Sequence, residues 1–352
     1  MKIINYREVP ILRQSESPAA GKIWSAEGSI SQRRHRQTRN GDIDMAVGDS
    51  LSMDEYKLTL ASPAKVVPLD PNLVLPKPTP DIETAKADLK RAGYAILTDV
   101  FPEELVRTAR QVLADEIKRE EAIDESRVAK FFVDPDAKNR RLNRLPDRHE
   151  VFRQVLEHPV VLELTKHILG PTVLDESYLV HSVDANVTRP GSGAQFIHLD
   201  ASNGVGHATP NQSRFIWCLD EFAEENGATR VVPGSHLWNP EIDPTGATTY
   251  ESVPAEAPAG SLIIYTDMLL HGTGANISEN RERASINFGI TTPWCRPSIN
   301  FPLVLDPEVM KNTSQTLRQL LGYSSVMNGG DYPWESAPES IRSLCVPAKM
   351  AY

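Results

Sequence analysis

Between Thr172 and about Pro293 the chain is cut into short runs rich in β-branched and aromatic residues: YLVHSVDANV, AQFIHLD, RFIWCLDEF, ATRVVP, SLIIYTDMLL and RASINFGITT. Gly, Pro, Asn or Ser separates each run from the next. β-formers bounded by turn residues at this spacing build an antiparallel sandwich or barrel, and this pattern constrains the fold more than any other feature. Helical signals lie on either side. Thr79 is the expected N-cap of a first helix, with Pro80 at its first position, DIETAKADLKRA as its body and Gly93 just past its end. YAILTDV follows as a strand. From Pro102, Leu105, Ala109, Val112, Leu113 and Ile117 recur at helical spacing, and further helices are expected over Asp147–Leu169 and Asp306–Leu321. The expected class is mainly β with flanking helices.

Composition removes several functions. With 40% apolar and 24% charged residues the chain can bury a large core. The formal charge is −10, and the first 50 residues carry 8 basic and 6 acidic side chains, so all of the negative excess lies beyond them. An acidic domain without a compact basic patch is a poor general binder of nucleic acid. No apolar window approaches the length of a membrane span, and the charged start MKIINYREVP lacks a signal-peptide core. Three distant cysteines, Cys218, Cys295 and Cys345, make neither a disulfide scaffold nor a zinc ribbon, and the ending KMAY is not a peroxisomal address. A cytoplasmic protein is expected. Residues 1–78, with the basic run Arg33 to Arg39 and the Pro-rich LDPNLVLPKPTP, read as an N-terminal extension, partly extended or disordered. Residues 79–352 form the expected catalytic domain, with its β-rich core over about 172–293.

Chemistry concentrates on His198-Leu199-Asp200 and His271. On a strand, residues two apart share a face, so His198 and Asp200 would project together, and a neighbouring strand could add His271. Two imidazoles and one carboxylate leave three positions open, which suits a non-haem Fe(II) oxygenase; structural zinc would call for a fourth ligand.

Around these residues the sequence resembles the phytanoyl-CoA dioxygenase (PhyH) family of Fe(II)/2-oxoglutarate-dependent oxygenases, including fungal secondary-metabolite members. The matching pieces are RPGSGAQFIHLD (189–200), DEFAEENGATRVVPGSH (220–236), GSLIIYTDMLLHGTGANIS (260–278) and RERAS (281–285), with weaker similarity in KRAGYAILTDVFPEELV (90–106). The resemblance implies a double-stranded β-helix, a jelly roll of cupin type. It implies His198, Asp200 and His271 as iron ligands and Arg283 as partner of the distal carboxylate of 2-oxoglutarate. A guanidinium suits that role because it forms bidentate, charge-assisted pairs. Ser285, two positions on, would donate to the same carboxylate. Arg281 competes with Arg283 by parity, but its ENRER setting reads as a solvated cluster. Gln195 and Thr229 match residues near the co-substrate, although strand parity turns Gln195 away from His198. Among Arg140, Arg141 and Arg144, Arg141 is the choice to complete the pocket. His236, in PGSH, is expected to bond backbone at a turn rather than metal.

The implied function is oxidation of an apolar small molecule such as a terpenoid, polyketide, alkaloid or lipid, with Fe(II), 2-oxoglutarate and O₂. Asp200 favours hydroxylation, or desaturation, epoxidation or rearrangement, over halogenation, which needs a small residue there. Phe196, Phe215, Trp217 and Tyr265 are candidates to line an apolar pocket. A fatty acyl-CoA 2-hydroxylase, a metal-binding barrel without oxygenase activity and an interaction protein with a degenerate barrel are the alternatives. The expected partners are the small-molecule substrate and a homodimer mate, with neither nucleic acid nor membrane.

Overall fold

The computed structural model describes residues 65–128, 131, 133–173, 176–200, 209–238, 248–324 and 339–345. Most of the expected extension, including the basic run, lies outside them. By its contacts the chain divides into Met1–Ser50 and Leu51–Tyr352, and all the described residues belong to the second unit.

The β-rich part is a jelly roll of two sheets. The larger has six antiparallel strands in the order β2 (Tyr94–Leu97), β9 (Leu262–Thr266), β5 (Gln212–Cys218), β11 (Arg283–Thr291), β4 (Leu179–Thr188) and β3 (Asn139–Asn143). The smaller orders β10 (His271–Thr273), β6 (Thr229–Val231) and β8 (Val253–Pro254). Because side chains alternate along a strand, register sorts the large sheet into two faces. The outer face carries Leu142, Val183, Ala185, Val187, Phe215, Trp217, Leu262, Ile264, Ala284, Ile286 and Phe288, all buried in one apolar core with the flanking helices. Phe215 and Phe288, directly opposed across β5 and β11, stack with centroids 5.0 Å apart. The inner face is apolar at its β5–β9–β2 side, where Ile216, Cys218, Ile263, Tyr265, Tyr94 and Ile96 meet Phe222, Ala228 and Val231. Toward β11, β4 and β3 it turns polar, with Arg283, Ser285 and Asn287 beside Asp184, Asn186, Arg141 and Asn143.

Helix α1 (Ile82–Ala92) starts two residues later than the sequence suggested: Asp81 caps it by accepting from the Thr84 amide, and it ends at Gly93 as expected. Helix α2 (Glu103–Ile123) follows, burying Val106, Ala109, Leu113 and Ile117. The single helix expected over 147–169 is three pieces, Leu145–Arg148, Glu150–Leu156 and Pro159–Leu169. Pro159 lacks the amide a continuous helix would need. The helix expected over 306–321 likewise splits into Pro307–Lys311 and Gln315–Leu320, the second capped anew by Ser314.

The last residues of the expected extension are attached to the barrel unit. Strand β1 (Lys65–Val67) pairs in parallel with β7 (Thr248–Tyr250), the Arg91 Nε donates to the Val74 carbonyl, and Pro76 is buried. Truncation should therefore distinguish two boundaries. Removing residues 65–78 as well as everything before them should lower the melting temperature by at least about 3 °C relative to a chain starting at Lys65, measured by circular dichroism.

Candidate active site

Strand β10 and the segment Gln195–Asp200 bring the three metal-type donors together. The segment is not the regular strand that the sequence suggested. It runs beside β10 through an antiparallel bridge in which the His198 amide donates to the His271 carbonyl (2.8 Å) and the His271 amide to the His198 carbonyl (2.9 Å). Gly272 permits this approach: a Cβ there would lie 2.9 Å from the Phe196 carbonyl oxygen.

His198, Asp200 and His271 then place one ligand atom each within 4.8 Å of one another, the one such group among the described residues. The His198 Nε2 is 3.7 Å from the Asp200 Oδ1, and the His271 Nε2 is 3.5 Å from its Oδ2. Each imidazole turns its Nδ1 to the carbonyl two residues earlier, His198 to Phe196 (2.9 Å) and His271 to Leu269 (3.0 Å). With those nitrogens donating, both Nε2 atoms are left as acceptors facing the carboxylate. Burial pushes the His271 imidazole down to about 4, keeping it in the neutral form a metal requires. Burial alone would raise the Asp200 carboxyl, but the Arg214 guanidinium and the two imidazoles hold it well below the usual carboxylate range. Two neutral imidazoles and an ionised carboxylate on one side of a cavity fit a divalent first-row cation with open positions.

These residues line a cavity of about 740 Å³ together with Arg283, Thr229, Gln195, Arg141, Arg214 and Tyr265. Arg283 is 1% exposed, with its Cζ 4.4 Å from the centre of the Phe222 ring. Its Nη1 donates to the Ser285 hydroxyl (3.4 Å), while its buried Nε and Nη2 have no hydrogen-bond partner among the described residues. Burial pushes this guanidinium down to about 10. A buried cation with two unanswered donors on one wall of a cavity is suited to a carboxylate ligand.

The remaining sequence candidates separate clearly. Thr229 is buried on β6, opposite Thr273, and lines the cavity. Gln195 also lines it, contrary to the parity argument, because its segment follows no regular pleat; its Oε1 accepts from the Thr273 amide and its Nε2 donates to Asp134. Arg141 reaches the cavity wall with its donors directed to Asp134 (2.9 and 3.0 Å) and Asp184 (3.0 Å). Ser285 does not line the cavity: its hydroxyl donates to Asn287 (2.9 Å), so it supports Arg283 from behind. Arg281 is a surface residue paired with Glu221 and Glu225, and His236 bonds the Lys90 carbonyl, both as expected. Arg140 pairs with Glu121 and Glu125, and Arg144 with Asp147.

Of the aromatic candidates for the pocket, only Tyr265 lines it; Phe215 and Trp217 point into the outer core, and Phe196 is 59% exposed. Sequence reasoning missed Asp134, His181, Asp184 and Arg214. The signal for Arg214 was present in RFIWC, where Arg214, Ile216 and Cys218 share a face opposite Phe215 and Trp217. His181 had none. It is the extra residue of a bulge on β4 opposite Gly289 and Ile290, so it and Ser182 both line the cavity.

The sequence profile of the phytanoyl-CoA dioxygenase (PhyH) family matches residues 89–284, a span that includes the triad and Arg283. The chain belongs to this family. Dioxygenase af480 of Aspergillus fumigatus is 30% identical over 250 residues, covering 70% of this chain and 79% of that protein. Dioxygenase aneA of Aspergillus aculeatus is 28% identical over 254 residues, covering 70% and 85%. The fold is shared with the non-haem α-ketoglutarate-dependent carbocyclase SnoK from nogalamycin biosynthesis, at 19% identity and a TM-score of 0.50 over 63% of this chain and 90% of that one. This family member is a non-haem iron dioxygenase that depends on 2-oxoglutarate. Among the described residues no helix is long and apolar enough to cross a membrane.

The fully buried Asp134 links two sides of the cavity by pairing with Arg141 and Gln195. Burial raises its carboxyl, but the hydrogen bonds and charge of Arg141 prevail and the net shift is below the ordinary 3.8. A depressed carboxylate contributes stability that is complete above its unfolded value and is lost as pH falls through the folded-state value. Asp134→Ala should therefore cost about 3 kcal/mol at pH 7, and the difference from wild type should shrink as pH falls below 3.8, read from urea melts at the two ends of that range.

Proposed function

We propose that His198, Asp200 and His271 hold the iron of this dioxygenase and that Arg283 receives the distal carboxylate of 2-oxoglutarate. The observation that carries the reading is the pairing of the donor triad with a buried guanidinium whose Nε and Nη2 are unanswered, on the walls of one cavity. Bound there, iron with 2-oxoglutarate and O₂ supplies the oxidising equivalent for attack on a C–H bond. The chain's own residues do the rest. Arg283 fixes one end of the co-substrate through two parallel hydrogen bonds, held flat by the Phe222 ring on one side and steadied by Ser285. Thr229, on the neighbouring wall, would add a hydroxyl to the same ligand. Gln195 and Arg141 act through Asp134, which ties the segment before His198 to β3 and so keeps the triad in register with the co-substrate.

The rest of the cavity is left for the substrate. Phe131, Val133, Ile299 and Val304 give it apolar surface, whereas Asn143, Ser182 and Ser298 add neutral hydrogen-bonding groups. The described surface lining this cavity offers no cluster of free lysines and arginines such as a CoA thioester would need, since Arg141, Arg144 and Arg214 each pair with a carboxylate. We therefore favour a neutral, largely apolar small molecule bearing some oxygen functions, as in a terpenoid, polyketide or alkaloid, modified during secondary-metabolite biosynthesis. Retention of Asp200 favours hydroxylation, or desaturation, epoxidation or rearrangement, over halogenation.

The decisive assay is succinate formation by anaerobically loaded protein supplied with 2-oxoglutarate and O₂. Wild-type protein should turn over slowly even without substrate, and Asp200→Ala should reduce succinate to background. Arg283→Gln should weaken 2-oxoglutarate binding at least ~30-fold, the equivalent of about 2 kcal/mol, in calorimetric titrations with Mn(II) in place of iron. Unchanged affinity in that variant would remove Arg283 from the co-substrate site.

A further inference from the structure

Arg214 is the cation that meets Asp200 of the triad. It projects from β5 onto the inner face, opposite Gly289 on β11 and Tyr265 on β9. Its Nε lies 2.8 Å from the Asp200 Oδ2, an ion-pair contact, and its Nη1 meets the Ser182 hydroxyl at 3.0 Å and the Gln212 Oε1 at 3.4 Å. The Tyr265 hydroxyl donates to the same Asp200 Oδ2 at 3.4 Å. The seat is built for this side chain. A Cβ on Gly289 would come within 2.3 Å of the Arg214 Nη1 and 3.1 Å of its Cδ, so a side chain there would push the guanidinium from its place. The φ of Gly289 is not in the left-handed region, so the backbone itself does not call for glycine there.

We propose that Arg214 is the positioning residue for Asp200: anchored over Gly289, it holds Oδ2, so that the carboxylate presents a single oxygen to the ion. The inference rests on the triad being the metal site. A carboxylate free to rotate can present both oxygens to one cation. That would occupy a place the bidentate co-substrate needs. A guanidinium 2.8 Å from Oδ2 opposes this by charge, because it already neutralises that oxygen. Tyr265 adds a second hold on the same atom. Asp200 thus has Oδ1 toward His198 (3.7 Å) and Oδ2 between the fixed cation (2.8 Å) and His271 (3.5 Å), and its rotation is restricted at both oxygens.

Two variants perturb the contact by independent routes. Arg214→Met removes the cation, and Gly289→Ala keeps it while displacing it from its seat; Arg214→Lys tests whether charge near Oδ2 suffices. The readouts use Co(II), whose visible bands report coordination number, with 2-oxoglutarate affinity measured at saturating Co(II) so that altered metal affinity does not enter. Both Arg214→Met and Gly289→Ala should change the intensity of the Co(II) bands before co-substrate is added and weaken 2-oxoglutarate binding ~10-fold or more, within the range that partners of metal ligands command. Arg214→Lys should recover part of that loss. Wild-type spectra and wild-type 2-oxoglutarate affinity in the variants overturn the proposal, as does a lowered melting temperature with an unchanged spectrum, which would mark a purely structural role. Should Arg214→Met not fold, Gly289→Ala decides alone. Failure of the wild-type protein to bind Co(II) or 2-oxoglutarate would instead overturn the triad reading, and this inference with it.

Discussion

The site depends on how three guanidiniums are carried on the inner face of one sheet, away from water. Moving a cation into such a place is costly unless an opposite charge meets it, and the three arginines are met differently. Arg141 has two carboxylates, Asp134 and Asp184. Arg214 has Asp200. Arg283 has an aromatic face and one hydroxyl, which leaves most of its charge unanswered. The first two pairs also fasten separate elements: Asp134 precedes β3, Asp184 is on β4 and Asp200 ends the segment that carries His198. The polar wall is therefore held by charge where the outer face is held by apolar packing. The exception is Arg283, where on the proposed reading the distal carboxylate of the co-substrate would be stabilised.

On the proposed reading, this arrangement lets an acidic protein capture an anionic co-substrate. The formal charge of −10 sets an unfavourable overall field, but interactions between exposed charges are screened within about 10 Å at ordinary salt. A guanidinium at 1% exposure is screened far less. Local geometry at Arg283 can thus outweigh the net charge of the whole chain.

Much of this was legible in the sequence, and the gaps have a common cause. The HxD motif, the distal histidine and the Arg-x-Ser pair could be found because each is short and local. The direction each strand faces could not, because both faces of the large sheet are covered, one by helices and the other by the smaller sheet and its core. A strand buried on both sides does not alternate polar with apolar, so Phe215 and Trp217 looked as suitable for the cavity as Ile216. Arg214 broke the tie on its own strand, but a single charged residue near a strand's end also reads as a solvated edge. Bulges add a second gap: His181 reaches the cavity through one extra residue, and nothing in HSVDANV marks where register will slip.

The segment before Asp200 shows why the site forms although its strand assignment fails. Regular pleating would have sent Gln195 and His198 to opposite faces. Instead a backbone bridge to β10 fixes His198 against His271, and Gln195 pairs with Thr273, its amide donating to the Thr273 carbonyl and its Oε1 accepting from the Thr273 amide. Orientation of the imidazoles is then settled locally, since each Nδ1 bonds the carbonyl two residues earlier on its own chain. Each histidine carries its own orienting group with it and needs no distant side chain to choose its tautomer. Only the carboxylate lacks such a local device, and Asp200 alone among the three is met by a cation, Arg214 on β5.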